Sequence, residues 1–332
     1  MPTGDGGGGD LAGGRHTMWS WAPPYIAIGA FVLSVTASVA SAEPVALTFD
    51  DLPTLALDHS PRYSQITTER LIRGLHRQHL PVTGFVVGDQ LEGNRQAAGR
   101  RLLRRWLNAG FELGNHTYSH ASLSTVPVEA YIADVARDDA LLRPLLRTRR
   151  QTSRWFRHPY LETGATLEAK HTFETWLAKA GYRIAPVSME NADWMFSPSY
   201  DDAISRHDGA SAERIRQAYL DYTAKVVPWY RKAGLQLLGR RPSFVFLLHA
   251  SRLNADSVNE LASILRANDL DPVTLAKAME DPAYALGDDF ADPNGDQWLS
   301  RWARTLNRQL PWESYPPPPA EIAAEAKRLD PP

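Results

Sequence analysis

Val45-Ala46-Leu47-Thr48-Phe49-Asp50-Asp51 is an apolar run that ends abruptly in two carboxylates, and the rest of the chain is read outward from it. A strand covered on both faces is continuously apolar rather than alternating, so Val45–Phe49 is predicted to be a buried strand. The pattern returns downstream. Val82–Gly88, Phe111–Gly114, a segment near Ser153–Phe156, Arg183–Val187 and Phe244–Leu248 are further predicted strands. Between them lie segments with helical spacing: 62–80, with Leu71, Ile72, Leu75 and Leu80 on one face, then 95–109, 127–146 and 166–180. Helical stretches cover much of 201–238, and 255–267 and 273–280 close the series. Strands alternating with helices predict an α/β fold of βα units around a parallel sheet, closed or open. The segment 195–242 is long for one connection and reads as a helical insertion between two strands. From about residue 286 the tail is rich in Pro and Asp; its Pro316–Pro319 run is stiff and extended, ahead of a short amphipathic helix at 320–328.

Composition narrows the function classes. The chain has 332 residues, 43% of them hydrophobic, enough for one large core, and shows neither an internal repeat nor a second core of domain size. It has no cysteine, which excludes disulfides, thiolate metal sites and a cysteine nucleophile. The net charge is -2 and no Lys/Arg run dominates any segment, so no nucleic-acid partner is expected. Near the N-terminus, Tyr25–Ala40 is apolar and is followed by Ala40-Ser41-Ala42 and Glu43. That is the pattern of a secretory signal over 1–42, cut after Ala42, with an uncleaved anchor as the alternative and Met18 as a second possible start. The expectation is a periplasmic or extracellular protein with no stable membrane span after cleavage.

Polar residues gather where the predicted strands end. Asp50 and Asp51 follow the first strand, His116 and His120 the third, and Arg157, His158 and Tyr160 the run Trp155-Phe156. Asp193 and Trp194 come a few residues after Val187, and His249 follows Leu248. In a parallel barrel these ends converge on one face, where active sites are built. Each part alone has an ordinary explanation: an Asp-Asp pair as a turn or cap, a histidine pair at a helix end, a satisfied core histidine. Together they form a chemical set. Two imidazoles and one carboxylate make a three-ligand site with open positions, and a divalent ion there would lower the pKa of bound water and polarise a carbonyl. A second carboxylate can take the water proton, and a separate histidine can protonate a leaving amine.

The order of these motifs resembles the polysaccharide deacetylases with a NodB-type catalytic domain, carbohydrate esterase family 4. Thr48-Phe49-Asp50-Asp51 is similar to that family's first motif and Gly114-Asn115-His116-Thr117-Tyr118-Ser119-His120 to its second. Arg157-His158-Pro159-Tyr160, Asp193-Trp194 and Leu247-Leu248-His249 are similar to the third, fourth and fifth. The resemblance covers about 44–280. It implies a deformed (β/α) barrel, a single domain over 43–285, with Asp51, His116 and His120 holding a divalent metal, commonly zinc, with cobalt or nickel as alternatives. It further implies Asp50 as general base, His249 as acid, Arg157 holding Asp50 and Asp193 orienting His249. The Tyr160 backbone N–H would bind the oxyanion, with Trp194 and Leu247 walling the acetyl methyl. The activity implied is removal of N-acetyl groups from an amino-sugar polymer or oligomer.

Departures from the motifs bear on substrate shape. Leu52 stands where Gly is usual and implies a different loop path or a narrower mouth; His158 stands where Pro is common and Leu161 where Gly is common. A related hydrolase of another small amide or ester is therefore the alternative within enzymes, and a non-catalytic glycan-binding protein the alternative outside them. Neither an HExxH pair nor a GxSxG elbow is present. His59, His76, His79, His171 and His207 match no motif and are read as structural or surface residues.

Overall fold

The computed structural model describes residues 42–149, 151 and 154–329. The expected signal segment therefore lies, apart from Ala42, outside the described residues, as does Ser153 of the fourth predicted strand. The chain runs β1 (Glu43–Leu52), α1 (Pro61–Arg77), β2 (Val82–Val86), α2 (Gln96–Asn108), β3 (Glu112–Asn115), α3 (Val128–Arg147), β4 (Trp155–Phe156), α4 (Leu167–Lys179) and β5 (Arg183–Ile184). It continues with β6 (Met189–Glu190), α5 (Asp193–Ser205), α6 (Gly209–Leu238), β7 (Phe244–His249), α7 (Arg252–Ala267), β8 (Leu270–Pro272), α8 (Leu275–Ala278), α9 (Trp298–Thr305) and α10 (Ala320–Leu329).

The strands form one sheet in the order β5-β4-β3-β2-β1-β7-β6, with β8 beside the first residues of β1. Every pairing is parallel. β5 and β6 end the order without pairing to each other, so this is a deformed (β/α) barrel left open along one seam. β1 is central and buried nearly throughout, which is why it reads as an unbroken apolar run. The helices start where side chains cap them. Ser60 accepts from the Tyr63 N–H ahead of Pro61, Thr166 from Ala169 and Ser251 from Asn254.

Several boundaries differ from the sequence reading. β1 extends through Asp50 and Asp51 to Leu52, because β7 continues to hydrogen-bond alongside it as far as Asp50↔His249. β5 stops at Ile184 and Val187 lies outside it; a separate strand not anticipated from the sequence, β6, follows and pairs with β7 at the other end of the sheet, too short to show a period of its own. Leu52 does not narrow the site mouth with its side chain. It points into the core, where a Cβ on Gly84 would collide with it. The span between β6 and β7 is helical as expected, though α5 already begins at Asp193. In the tail, α10 falls where predicted, but α9 was not anticipated. Leu299, Trp302, Leu310 and Ile322 join the main core, so much of the tail packs onto the fold. The arginines also group in a way the linear sequence hides. α1 and α2 pack together and carry Arg62, Arg70, Arg73, Arg77, Arg100, Arg101, Arg104 and Arg105, with Glu69 the one acidic residue on either helix and Asp256 of α7 paired to Arg70.

Candidate active site

β1 and β2 pair regularly up to Phe49, and the register then shifts before Leu52. Successive residues of a regular strand face opposite sides. Here Asp51 takes a left-handed φ of 62°, and both carboxylates come within reach of His116. Positive φ recurs around the site at Thr117, His120, Tyr160, Leu161 and Ala192, none of them glycine. Such conformations cost of order 1–3 kcal/mol each and persist only where surrounding contacts enforce them.

Those contacts are present. The loop after β3 is held by Asn115, whose Oδ1 accepts from the Thr117 N–H at 2.9 Å while its Nδ2 donates to the Val135 carbonyl at 3.0 Å. Asp134 on α3 accepts from the Tyr118 and Ser119 N–H groups at 2.8 and 2.9 Å. His116 donates from Nδ1 to the Arg157 carbonyl at 2.9 Å, which leaves Nε2 as the acceptor nitrogen facing the carboxylates. From Nε2 to Asp51 Oδ1 is 3.7 Å, and from His120 Nε2 to the same oxygen 3.5 Å. These spacings fit a metal site. Ligand atoms about 2.1 Å from a tetrahedral ion lie about 3.4 Å apart, and Asp51 Oδ1 is buried with no hydrogen-bond partner. Among the described residues, Asp51, His116 and His120 form the one such cluster.

Asp50 lies beside this cluster, 3% exposed. Arg157 reaches its Oδ2 from Nη1 at 3.3 Å, donates from Nη2 to Thr48 Oγ1 at 2.9 Å and from Nε to the Ala185 carbonyl at 2.8 Å. Burial pushes the Asp50 carboxyl up to about 6, with the Arg157 and His249 charges pulling the other way. Burial likewise holds His116 well below the usual imidazole range, and the neighbouring His120 adds to it, so the ring is neutral and able to act as a ligand.

Opposite stands His249, at the end of β7. Its Nδ1 is 2.8 Å from Asp193 Oδ1, and its own backbone N–H donates to Asp193 Oδ2 at 2.7 Å. Asn254 donates to both Asp193 Oδ2 and the His249 carbonyl. Burial lowers the His249 pKa, but the Asp193 carboxylate, helped by Asp51 and Asp50, outweighs it and raises the ring to about 9. Tyr160 is 58% exposed, its ring edge-on to His120 with centroids 4.5 Å apart; Trp194 is 46% exposed and Leu247 is buried. His158 points into the core, stacked on Tyr131, and burial drives it down to about 3.

The sequence reading missed Thr48, Asn115, Asp134 and Asn254. Asn115 sat inside a quoted motif, but an asparagine that holds a loop gives no periodic signal. Asp134 and Asn254 belong to amphipathic helices whose patterns show only a polar position.

Residues 37–185 match the family model described as polysaccharide deacetylase. Over that stretch, a little under half of its length, the chain is similar to the polysaccharide deacetylases. A peptidoglycan-N-acetylglucosamine deacetylase of Bacillus cereus is 27% identical over 181 residues, 54% of each chain, so the match spans about half the length of that relative. Among solved structures, a family 4 acetyl xylan esterase from Clostridium thermocellum with a cobalt ion aligns at TM-score 0.47 and 19% identity, covering 72% of this chain and 91% of that one. The peptidoglycan deacetylase PdaC from Bacillus subtilis aligns at 0.45 and 20%, with the same coverage.

Proposed function

We propose that this protein is an exported hydrolase that removes N-acetyl groups from an amino-sugar polymer or oligomer. One observation carries the reading: a buried carboxylate held by an arginine and a carboxylate-bound imidazole flank a three-ligand cluster. Asp51, His116 and His120 would hold a divalent ion, with zinc the first choice and cobalt or nickel the alternatives. When bound, it supplies Lewis acidity toward a water molecule and the amide carbonyl oxygen.

The chain's own residues do the rest. Asp50, ionised and oriented by Arg157, takes a proton from the attacking water as its oxygen bonds to the acyl carbon. The Tyr160 N–H donates to the oxyanion that forms. His249, charged through Asp193, passes its Nε2 proton to the amide nitrogen as the C–N bond breaks, leaving acetate and a free amino sugar. Leu247 and Trp194 wall the space for the methyl group. The relative from Bacillus cereus, named for peptidoglycan N-acetylglucosamine, makes peptidoglycan the first substrate to try. A signal over 1–42 would deliver the domain 43–285 to the periplasm or cell exterior, where such glycans lie.

The test uses protein from Glu43 onward, stripped of metal and reloaded with zinc, cobalt or nickel, and follows acetate release from N-acetylglucosamine oligomers and peptidoglycan. Metal-dependent release that is lost in Asp50→Asn and His116→Ala is the expected result. Tight metal binding with no acetate from any glycan would sink the glycan reading and turn the search to small amides and esters.

A further inference from the structure

The barrel is open between β5 and β6, and the segment Asp288–Trp298 runs across that opening. On one side it joins the loop after β4. The Thr163 N–H donates to the Asp292 carbonyl at 3.0 Å, and Gly164 forms an antiparallel bridge with Asp292. On the other side it joins β6: the Trp298 N–H donates to the Val187 carbonyl at 2.6 Å, and Gln297 Nε2 donates to Glu190 Oε1 at 2.9 Å. Arg301, 1% exposed, fastens the strap from beneath. It pairs with Asp292 at 2.7 Å and Asp288 at 2.6 Å and donates to Thr163 Oγ1 at 3.0 Å. Lys170 on α4 donates to the Asp288 and Phe290 carbonyls. So many charged hydrogen bonds around one buried guanidinium leave the segment little freedom.

The strap reaches the site through Gly295. This residue has a φ of +77°, and a Cβ added to it would overlap the Tyr160 carbonyl oxygen. Tyr160 and Leu161 themselves sit at φ 56° and 59°, a strained pair that something outside the loop must hold. We infer that Asp288–Trp298 is an active-site strap: it closes the barrel seam and, through Gly295 and Asp292, positions the Tyr160 backbone N–H for the oxyanion. The inference rests on the proposed deacetylase reading. It makes Gly295 and Arg301 positioning residues, and it gives the Asp-rich part of the tail a role in the reaction.

The experiment compares Gly295→Ala, Arg301→Ala and Arg301→Lys with the wild type, and with Arg328→Ala on α10 as a control. Each is read for kcat and KM of acetate release, zinc affinity, and amide exchange across 158–164. A side chain at Gly295 must push the Tyr160 carbonyl and turn Tyr160 with it, N–H included, and a misplacement near 1 Å costs about 100-fold in rate. The expected result is therefore kcat down about 100-fold in Gly295→Ala with KM nearly unchanged, unaltered zinc affinity and faster exchange confined to 158–164. Arg301→Lys should fall between Arg301→Ala and wild type, and Arg328→Ala should match wild type. Unchanged kcat and exchange in Gly295→Ala would overturn the inference. So would lost zinc affinity with faster exchange throughout the sheet, since that is general destabilisation. A wild type that releases no acetate overturns the functional reading, and the exchange arm then decides the strap alone: faster local exchange supports it and unchanged exchange refutes it.

Discussion

Replacing Asp193 by Asn isolates what one carboxylate does for the proposed acid. Asp193 holds His249 by two contacts, Oδ1 to the ring Nδ1 and Oδ2 to the backbone N–H. The ring sits at about 9 against an ordinary 6.5, although burial alone would lower it. That rise corresponds to roughly 3 kcal/mol of preference for the protonated ring. An uncharged amide removes the larger attraction and leaves the burial against the weaker pulls of Asp51 and Asp50, so the ring in Asp193→Asn should fall from about 9 toward the ordinary 6.5. At pH 7.5 the protonated fraction then falls from nearly complete to about a tenth, a loss of about tenfold in rate from protonation alone. The assay is a pH profile of kcat/KM for acetate release, paired with NMR titration of the His249 ring. Activity depends on the protonated acid, so the upper limb is lost as pH rises through the folded-state value. It should move from near 9 toward 6.5. Asparagine also keeps one acceptor oxygen for the three donors that Asp193 serves, the His249 ring Nδ1–H, the His249 backbone N–H and Asn254, which adds about 1–3 kcal/mol of destabilisation visible in urea melts. An upper limb still near 9 in the variant, with the fold intact, would refute the argument that Asp193 keeps His249 charged.

Other expectations follow from the same structure. Asp134→Ala removes the acceptor for the Tyr118 and Ser119 N–H groups and frees the loop carrying His120, so zinc affinity measured by chelator competition should weaken about 10–100-fold. Glu190 is raised to about 7, chiefly by burial, so its folded form prefers the proton; the resulting stability is full below pH 4.5 and lost as pH rises through 7. Glu190→Gln should accordingly match wild type in Tm at pH 4 and exceed it at pH 8.5, and an equal Tm at both would refute the assignment. Leu248→Ala opens a cavity directly before His249, in a strand buried as far as Leu248, and should cost about 2–5 kcal/mol in urea unfolding.

Much of this molecule is legible in its residues because the signals are local. Continuous apolar runs mark β1, β2 and β7, buried on both faces, and helical spacing marks α1 to α4 and α7 to within a few residues. Asp50, Asp51, His116, His120, Arg157, Asp193 and His249 stand at strand ends, so a parallel sheet suffices to bring them to one face. What tertiary structure alone decides is everything that depends on non-local partners. The bulge that turns Asp50 and Asp51 to the same side arises from pairing β1 with β2. The two-residue strands β4, β5 and β6 exist because neighbours hydrogen-bond to them, and residues so few carry no period. Asn115, Asp134 and Asn254 hold the site from positions whose sequence context is merely polar. The placement of Gly295 against Tyr160 joins residues 135 apart, and only the folded chain brings them into contact.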